Sequence, residues 1–232
     1  MFFAIPAPIM PTISIAVSND LFPVHRIYCV GRNYAAHAKE MGHNPDKEPP
    51  FFFMKQADTV LSVPDVEQAE LPYPSMTEDY HHEVELVAAL GIGGKDIPEN
   101  EALQHVFGYA IGLDMTRRDR QQEAKKNNHP WEIAKSADHS APIGPLHLVG
   151  DVGHLHEGSI SLSIDGVEKQ KGNLNDMIWS VAQQISYLSR YFELKPGDLI
   201  FSGTPEGVGP VKRGQSLSAS IEKLGTINLK VV

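Results

Sequence analysis

Glu83 and Glu85 are one residue apart in the apolar run His82-Glu83-Val84-Glu85-Leu86-Val87-Ala88-Ala89-Leu90, and Asp114 ends a second apolar run over 106–113. Side chains of a β-strand alternate between faces, so Glu83 and Glu85 project together while Val84, Leu86, Ala88 and Leu90 take the other face. If both runs are strands, three carboxylates converge on one hard cation. The plain alternative is a half-exposed antiparallel strand with two acids on its solvent face. Three features weigh against it: glutamate is depleted in strands, like charges on one face repel, and that face continues as Val87 and Ala89. All-oxygen ligation suits Mg²⁺ or Mn²⁺, with Ca²⁺ also open, and three carboxylates leave coordination positions for water and substrate. Such a site points to catalysis more than to structure. His81 falls on the Glu83/Glu85 face, so a mixed nitrogen and oxygen site stays open, whereas His82 points away.

A second group could move protons. His37 and Glu40 are three apart in Tyr34-Ala35-Ala36-His37-Ala38-Lys39-Glu40-Met41 and share one face of a short helix. A carboxylate beside an imidazole raises its basicity and fixes its tautomer, as activation of a water requires. The segment 42–50 that follows is polar and rich in turn residues, the composition of a mobile lid over a site. Seen alone, the pair also fits an exposed helical ion pair of no consequence. The turn Ser202-Gly203-Thr204-Pro205-Glu206-Gly207-Val208-Gly209 lacks the Gly-Lys-Ser/Thr of a nucleotide loop. It reads as a tight turn, or as backbone N–H groups and the Thr204 hydroxyl holding a substrate carboxylate. Lys135 and Gln121 read by default as surface residues. No G-x-S-x-G, H-E-x-x-H or G-x-G-x-x-G is present, which removes the main support for a serine hydrolase, a zincin or a dinucleotide oxidoreductase.

The elements that must position these groups are mostly short strands. Strand-like runs cover 26–31, 51–54, 83–91, 106–113, 160–164, 199–202, 217–221 and 227–231. Asp165-Gly166 is a hairpin turn, and Lys195-Pro196-Gly197-Asp198 a type II turn. The clearest helix spans about 175–191, with Ile178, Val181, Ala182, Ile185 and Leu188 at helical spacing and Asn175 as cap. A short helix covers 34–41, stopped by Gly42, and a third follows Asp114 through about 126. The stretch 141–158, with two prolines and four glycines, reads as the longest loop. These elements predict a predominantly β, α+β domain.

With 232 residues, 41% of them apolar, the chain is long enough for one well-filled core. A single cysteine, Cys29, excludes a disulfide framework and fits a small buried side chain in a reducing cytoplasm. The first charged residue is Asp20, but Pro6, Pro8 and Pro11 and the lack of a basic start argue against a signal peptide. No apolar run reaches the ~20 residues of a membrane span. The formal net charge of −9 argues against nucleic acid. Screening confines the repulsion of an anionic substrate to about 8 Å, so a local cluster drawn from Arg32, Lys55, Arg117, Arg118 and Lys135 could still hold a dicarboxylate.

Taken together, these stretches resemble the fumarylacetoacetate hydrolase family. The resemblance rests on Tyr28-Cys29-Val30-Gly31-Arg32-Asn33-Tyr34, Glu83-Val84-Glu85-Leu86, Gly112-Leu113-Asp114-Met115-Thr116-Arg117-Arg118-Asp119, and Ser202-Gly203-Thr204-Pro205 with Gly207-Val208-Gly209. Within the family, Asp79-Tyr80-His81-His82, Pro49-Pro50-Phe51-Phe52-Phe53-Met54-Lys55 and Ser140-Ala141-Pro142-Ile143-Gly144-Pro145 are similar to the fumarylpyruvate hydrolase group. The resemblance implies a mixed β-sandwich roll over 25–232 after an extension at 1–24, a lid at about 33–50, and a homodimer. It further implies Mg²⁺ or Mn²⁺ on Glu83, Glu85 and Asp114, His37 with Glu40 activating water, and Lys135 stabilising charge. Arg32, Arg118, Gln121 and Thr204 would contact a small anionic 2,4-dioxo acid, cleaved by hydrolysis of a C–C bond. Oxaloacetate decarboxylation and isomerisation of a hydroxy-diene dioic acid are the competing activities on this scaffold, and a non-enzymatic cation-binding domain is the remaining reading. Ala137, where relatives commonly carry an aromatic, and Gln56, where proline is common, put substrate size in question.

Overall fold

The computed structural model describes residues 3–35, 49–64 and 67–232. Its centre is a mixed sheet in the spatial order Phe51–Lys55, Ile27–Gly31, Leu199–Phe201, Val84–Leu90, Val106–Leu113, Ala141–Ile143 and Val60–Ser62, with His147–Leu148 also pairing to Val106–Leu113. A five-stranded sheet packs against it, ordered Val167–Asn173, Ser159–Ile164, Ser216–Ile221, Gly225–Val231 and Ala69–Leu71. A small third sheet joins Thr116–Arg117, Tyr80–His82 and Gly209–Pro210, and a ribbon of Thr12–Ser14 with Leu21–Pro23 covers one edge of the molecule. The predominantly β, α+β expectation is met: two sheets face each other across one core and the central sheet curls at its ends.

Every residue of Val84–Leu90 is buried, so this strand is not half-exposed. Val84, Leu86, Ala88 and Leu90 join the core that also takes Ile160, Leu162, Leu217 and Ala219 of the second sheet and Ile185 and Leu188 of the long helix. Val87 and Ala89 turn to the other side and pack with Cys29, Phe201, Ile13 and Phe22. The period-2 pattern therefore separates two apolar layers, and the N-terminal ribbon closes the second. Cys29 is fully buried, and burial pushes its thiol pKa well up, which leaves it inert.

Both turns form as the sequence suggests. Asp165 and Gly166 have φ of 51° and 78°, the positive values a type I′ hairpin needs. Gly197 has φ of 90°, and the Asp198 N–H donates to the Lys195 carbonyl at 3.1 Å. The helices need correction. The predicted 175–191 helix is two elements: a 3₁₀ turn at Leu174–Asp176 capped by Asn173, then an α-helix at Val181–Tyr191 capped by Ser180 through the Gln183 N–H. Apolar Ile178 continued the helical spacing, but two separate capping boxes divide the chain there. The helix expected directly after Asp114 starts later, at Arg118–Asn127, because Thr116–Arg117 first pairs with Tyr80–His82. The stretch 141–158 is not a loop: Ala141–Ile143 runs parallel to Val60–Ser62 in the central sheet, and a helical turn forms at Val149–Val152. The expected helix at 34–41 and most of the lid, with His37 and Glu40, lie outside the described residues.

Candidate active site

The register of two neighbouring strands brings the carboxylates together. Val84 pairs with Leu113 and Glu85 with Gly112, and one step further the Asp114 N–H donates to the Glu83 carbonyl at 2.9 Å. Glu83 itself is the break between Tyr80–His82 and Val84–Leu90. On the other flank Phe201 pairs with Val87, which delivers the Gly203 N–H to Glu85 Oε2 at 2.7 Å. Glu83, Glu85 and Asp114 are all buried, and each offers a ligand oxygen within 4.8 Å of the others.

Cations surround this group. Lys135 Nζ donates to Glu83 Oε2 at 2.8 Å and to Asp114 Oδ2 at 2.7 Å. Burial disfavours the Lys135 ammonium, but Asp114 and Glu83 outweigh that and raise its pKa. Arg118 Nη2 donates to Glu83 Oε1 and Nη1 to Gln121 Oε1, the latter at 2.6 Å. Lys55 Nζ stands 3.0 Å from Asp114 Oδ1 and donates to the Met115 carbonyl and Ser140 Oγ, each at 3.0 Å, and to the Lys135 carbonyl. The expectation that Lys135 and Gln121 lie on the surface is wrong: both are buried, since the helical turn Glu132–Lys135 and the helix Arg118–Asn127 fold back over the carboxylates. Arg117 points elsewhere, to the Ile133 carbonyl.

The donor set fits a hard divalent cation. Asp114 Oδ1 is buried and accepts no hydrogen bond, despite the nearby Lys55 charge, so one lone-pair direction is left for a ligand bond. Burial, Asp114 and Glu83 raise the Glu85 pKa well above the ordinary carboxylate value, with the Gly203 N–H and Lys135 opposing. A bound cation removes that conflict. His81 does not complete the set. Its Nε2 meets Asp79 Oδ1 at 2.7 Å and its Nδ1 accepts from Arg118 Nε at 3.4 Å, so both ring nitrogens are engaged. His82 turns away, as expected, onto Gln170 Oε1 at 2.8 Å, and burial lowers its pKa to about 4.

The carboxylates open into a cleft lined also by Arg32, Phe51, Phe53, Lys125, Trp131 and Thr204. Thr204 Oγ1 donates to the Val84 carbonyl and accepts from Gln170 Nε2, both at 2.8 Å. Gln170 Oε1 also accepts the Val84 N–H at 3.1 Å. Gln170, Ser140 and the aromatic wall gain no site role from the sequence. Gln170 comes from the second sheet and the others from separate strands and turns, so no local spacing links them to the acids. Lys55 was grouped with the substrate cations, but its ammonium is directed inward.

The fold and this cleft define an enzyme domain of the fumarylacetoacetate hydrolase C-terminal type, whose family model matches residues 26–232. The chain belongs to the fumarylacetoacetate hydrolase family. It is 53% identical, with a TM-score of 0.98, to the fumarylpyruvate hydrolase of Pseudomonas aeruginosa solved with Mn²⁺ and pyruvate, covering 100% of this chain and 99% of that one. It is 43% identical to a mitochondrial oxaloacetate tautomerase of Arabidopsis thaliana, over 89% of this chain and 90% of that protein. A mitochondrial oxaloacetate decarboxylase of Dictyostelium discoideum is also 43% identical, over 87% of this chain and 90% of that protein. Among the described residues no helix is long and apolar enough to cross a membrane.

Proposed function

We propose that the protein hydrolyses the C–C bond of an acylpyruvate, with fumarylpyruvate converted to fumarate and pyruvate. The observation that carries the reading is the charge of the cleft. Three carboxylates (Glu83, Glu85, Asp114) face three cations (Lys55, Arg118, Lys135), a formal sum of zero. A divalent cation on the carboxylates leaves +2 at the inner end, and Arg32 and Lys125 further along the cleft add to it, so the cleft attracts a dianionic dioxo acid. Mg²⁺ or Mn²⁺ held by Glu83, Glu85 and Asp114 would supply Lewis-acid polarisation of a chelating oxo acid.

The chain's own residues do the rest. Lys135 and Arg118, fixed at the inner end of the cleft, compensate the negative charge that develops as the enolate of pyruvate leaves. His37, oriented by Glu40, takes a proton from water, hydroxide adds to the distal carbonyl, and the bond to the pyruvyl carbon breaks. Reprotonation of the enolate carbon completes pyruvate. Gln121 holds Arg118 in place, and Arg32 and Thr204 border the space for the acyl group. The similarity to a fumarylpyruvate hydrolase along both full chains supports this reading.

A second reading, oxaloacetate decarboxylation or tautomerisation, draws support from the tautomerase and decarboxylase relatives. Neither needs an activated water. Parallel assays of Mn²⁺-loaded protein with fumarylpyruvate and oxaloacetate separate the two: hydrolysis predicts fumarate and pyruvate in equal amounts from the first, at a rate well above any loss of the second. Turnover of oxaloacetate with fumarylpyruvate untouched would replace the proposal.

A further inference from the structure

We infer that Lys125 is a specificity-determining residue that binds a second carboxylate, at the far end of the substrate, across an aromatic wall from the carboxylate cluster. This rests on the dioxo-acid reading above and adds the length and charge of the substrate. Arg118, Gln121 and Lys125 are spaced three and four apart on the helix Arg118–Asn127, so they follow one stripe, and all three line the cleft. Arg118 ends on Glu83 at the inner end. Lys125 is two turns further along the helix, with its ammonium over the Trp131 ring at 5.1 Å.

No carboxylate among the described residues pairs with Lys125, whereas Lys135, Lys55 and Arg118 each meet one. Burial, then the charges of Arg118, Arg32 and Lys135, lower its pKa, so the ammonium is held among like charges that an arriving anion would relieve. Trp131 meets Phe51 edge-on at 5.1 Å between ring centroids, and the Arg32 guanidinium lies over Phe51 at 5.7 Å. Two cations thus straddle a pair of rings, and Phe53 extends the wall inward to Lys135. A flat conjugated chain fits against such a wall, with an oxo-acid end at the acids and a carboxylate end at Lys125. The chemical class is an elongated dianion. A four-carbon oxo dicarboxylate carries its second carboxylate one methylene from the oxo group, closer to the inner end than the distal carboxylate of fumarylpyruvate.

The test is Lys125→Met, which keeps a chain over Trp131 and removes the charge. With Mn²⁺-loaded enzyme, the preference in kcat/KM for fumarylpyruvate over acetylpyruvate, which has no distal carboxylate, should fall about tenfold through KM. Lys125→Arg should restore most of it. An unchanged preference in Lys125→Met would overturn the inference. A binding arm is independent of turnover: tryptophan fluorescence titrations with fumarate and with crotonate, its monocarboxylate analogue. The wild type should favour fumarate and the methionine variant should lose that preference, even if neither acylpyruvate is cleaved. Preference for fumarate retained in the variant would sink the inference while leaving the hydrolase reading intact.

Discussion

Glu85 shows how the site trades stability for chemistry at the level of one residue. It is buried against Asp114 and Glu83, and burial together with those charges disfavours its ionised form. Glu85→Gln keeps an oxygen for the Gly203 N–H and removes one of three like charges. In EDTA-treated protein it should gain about 1–2 kcal/mol of stability, a rise of ~2–8 °C in Tm for a chain of this size, and should lose the further rise that Mn²⁺ gives the wild type. A destabilised variant that still responds to Mn²⁺ would contradict the ligand assignment. The acids themselves were legible, because period-2 spacing relates Glu83 to Glu85 and Asp114 ends the apolar run that pairs with theirs. Lys135 and Gln121 reach the site only through the family resemblance, and the inward turn of Lys55 is not legible at all, since a lysine's sequence neighbours do not reveal that other elements close over it.

Among elements, the decisive link is Gln170 on Val167–Asn173. It accepts the Val84 N–H, bonds His82, and donates to Thr204 Oγ1 and the Pro205 carbonyl at 2.8 and 2.9 Å. It therefore ties the strand of Glu85 to the turn whose Gly203 N–H holds that carboxylate. Gly203 has φ of 100°, and a Cβ there would come within 2.6 Å of Asn33 Cβ, which explains a glycine at this turn. Gln170→Leu leaves several buried groups unpaired. It should cost about 3 kcal/mol and weaken Mn²⁺ binding ~10–100-fold, measured by metal-dependent thermal shifts. Undiminished metal affinity would show that the turn holds Glu85 without Gln170. The long strands and both turns could be read from alternation and from Asp-Gly and Pro-Gly pairs. The three-residue strand Ala141–Ile143 is too short for any period to register, and the helix start moved to Ser180 because capping outranked apolar spacing.

For the whole molecule, a formal charge of −9 coexists with a cleft into which Arg32, Arg118, Lys125 and Lys135 face. The net charge argues against a nucleic-acid footprint but says little about a small anion, whose recognition is settled within a Debye length of about 8 Å. Two sheets and the helices over the cleft contribute to that local field. The central sheet positions the acids, its edge strand supplies Lys55, Phe51 and Phe53, the second sheet supplies Gln170, and the helices over the cleft and the Trp131 cap between them carry Arg118, Lys125, Trp131 and Lys135. Such convergence is why the site is built by the whole fold and not by any one segment. Cleavage of fumarylpyruvate in oxygen-18 water, with EDTA-stripped protein before and after Mn²⁺ is restored, tests the central claim most directly. The account predicts metal-dependent release of equal fumarate and pyruvate, with one solvent oxygen in the new fumarate carboxylate. Fumarylpyruvate left intact by Mn²⁺-loaded protein that turns over oxaloacetate would contradict it.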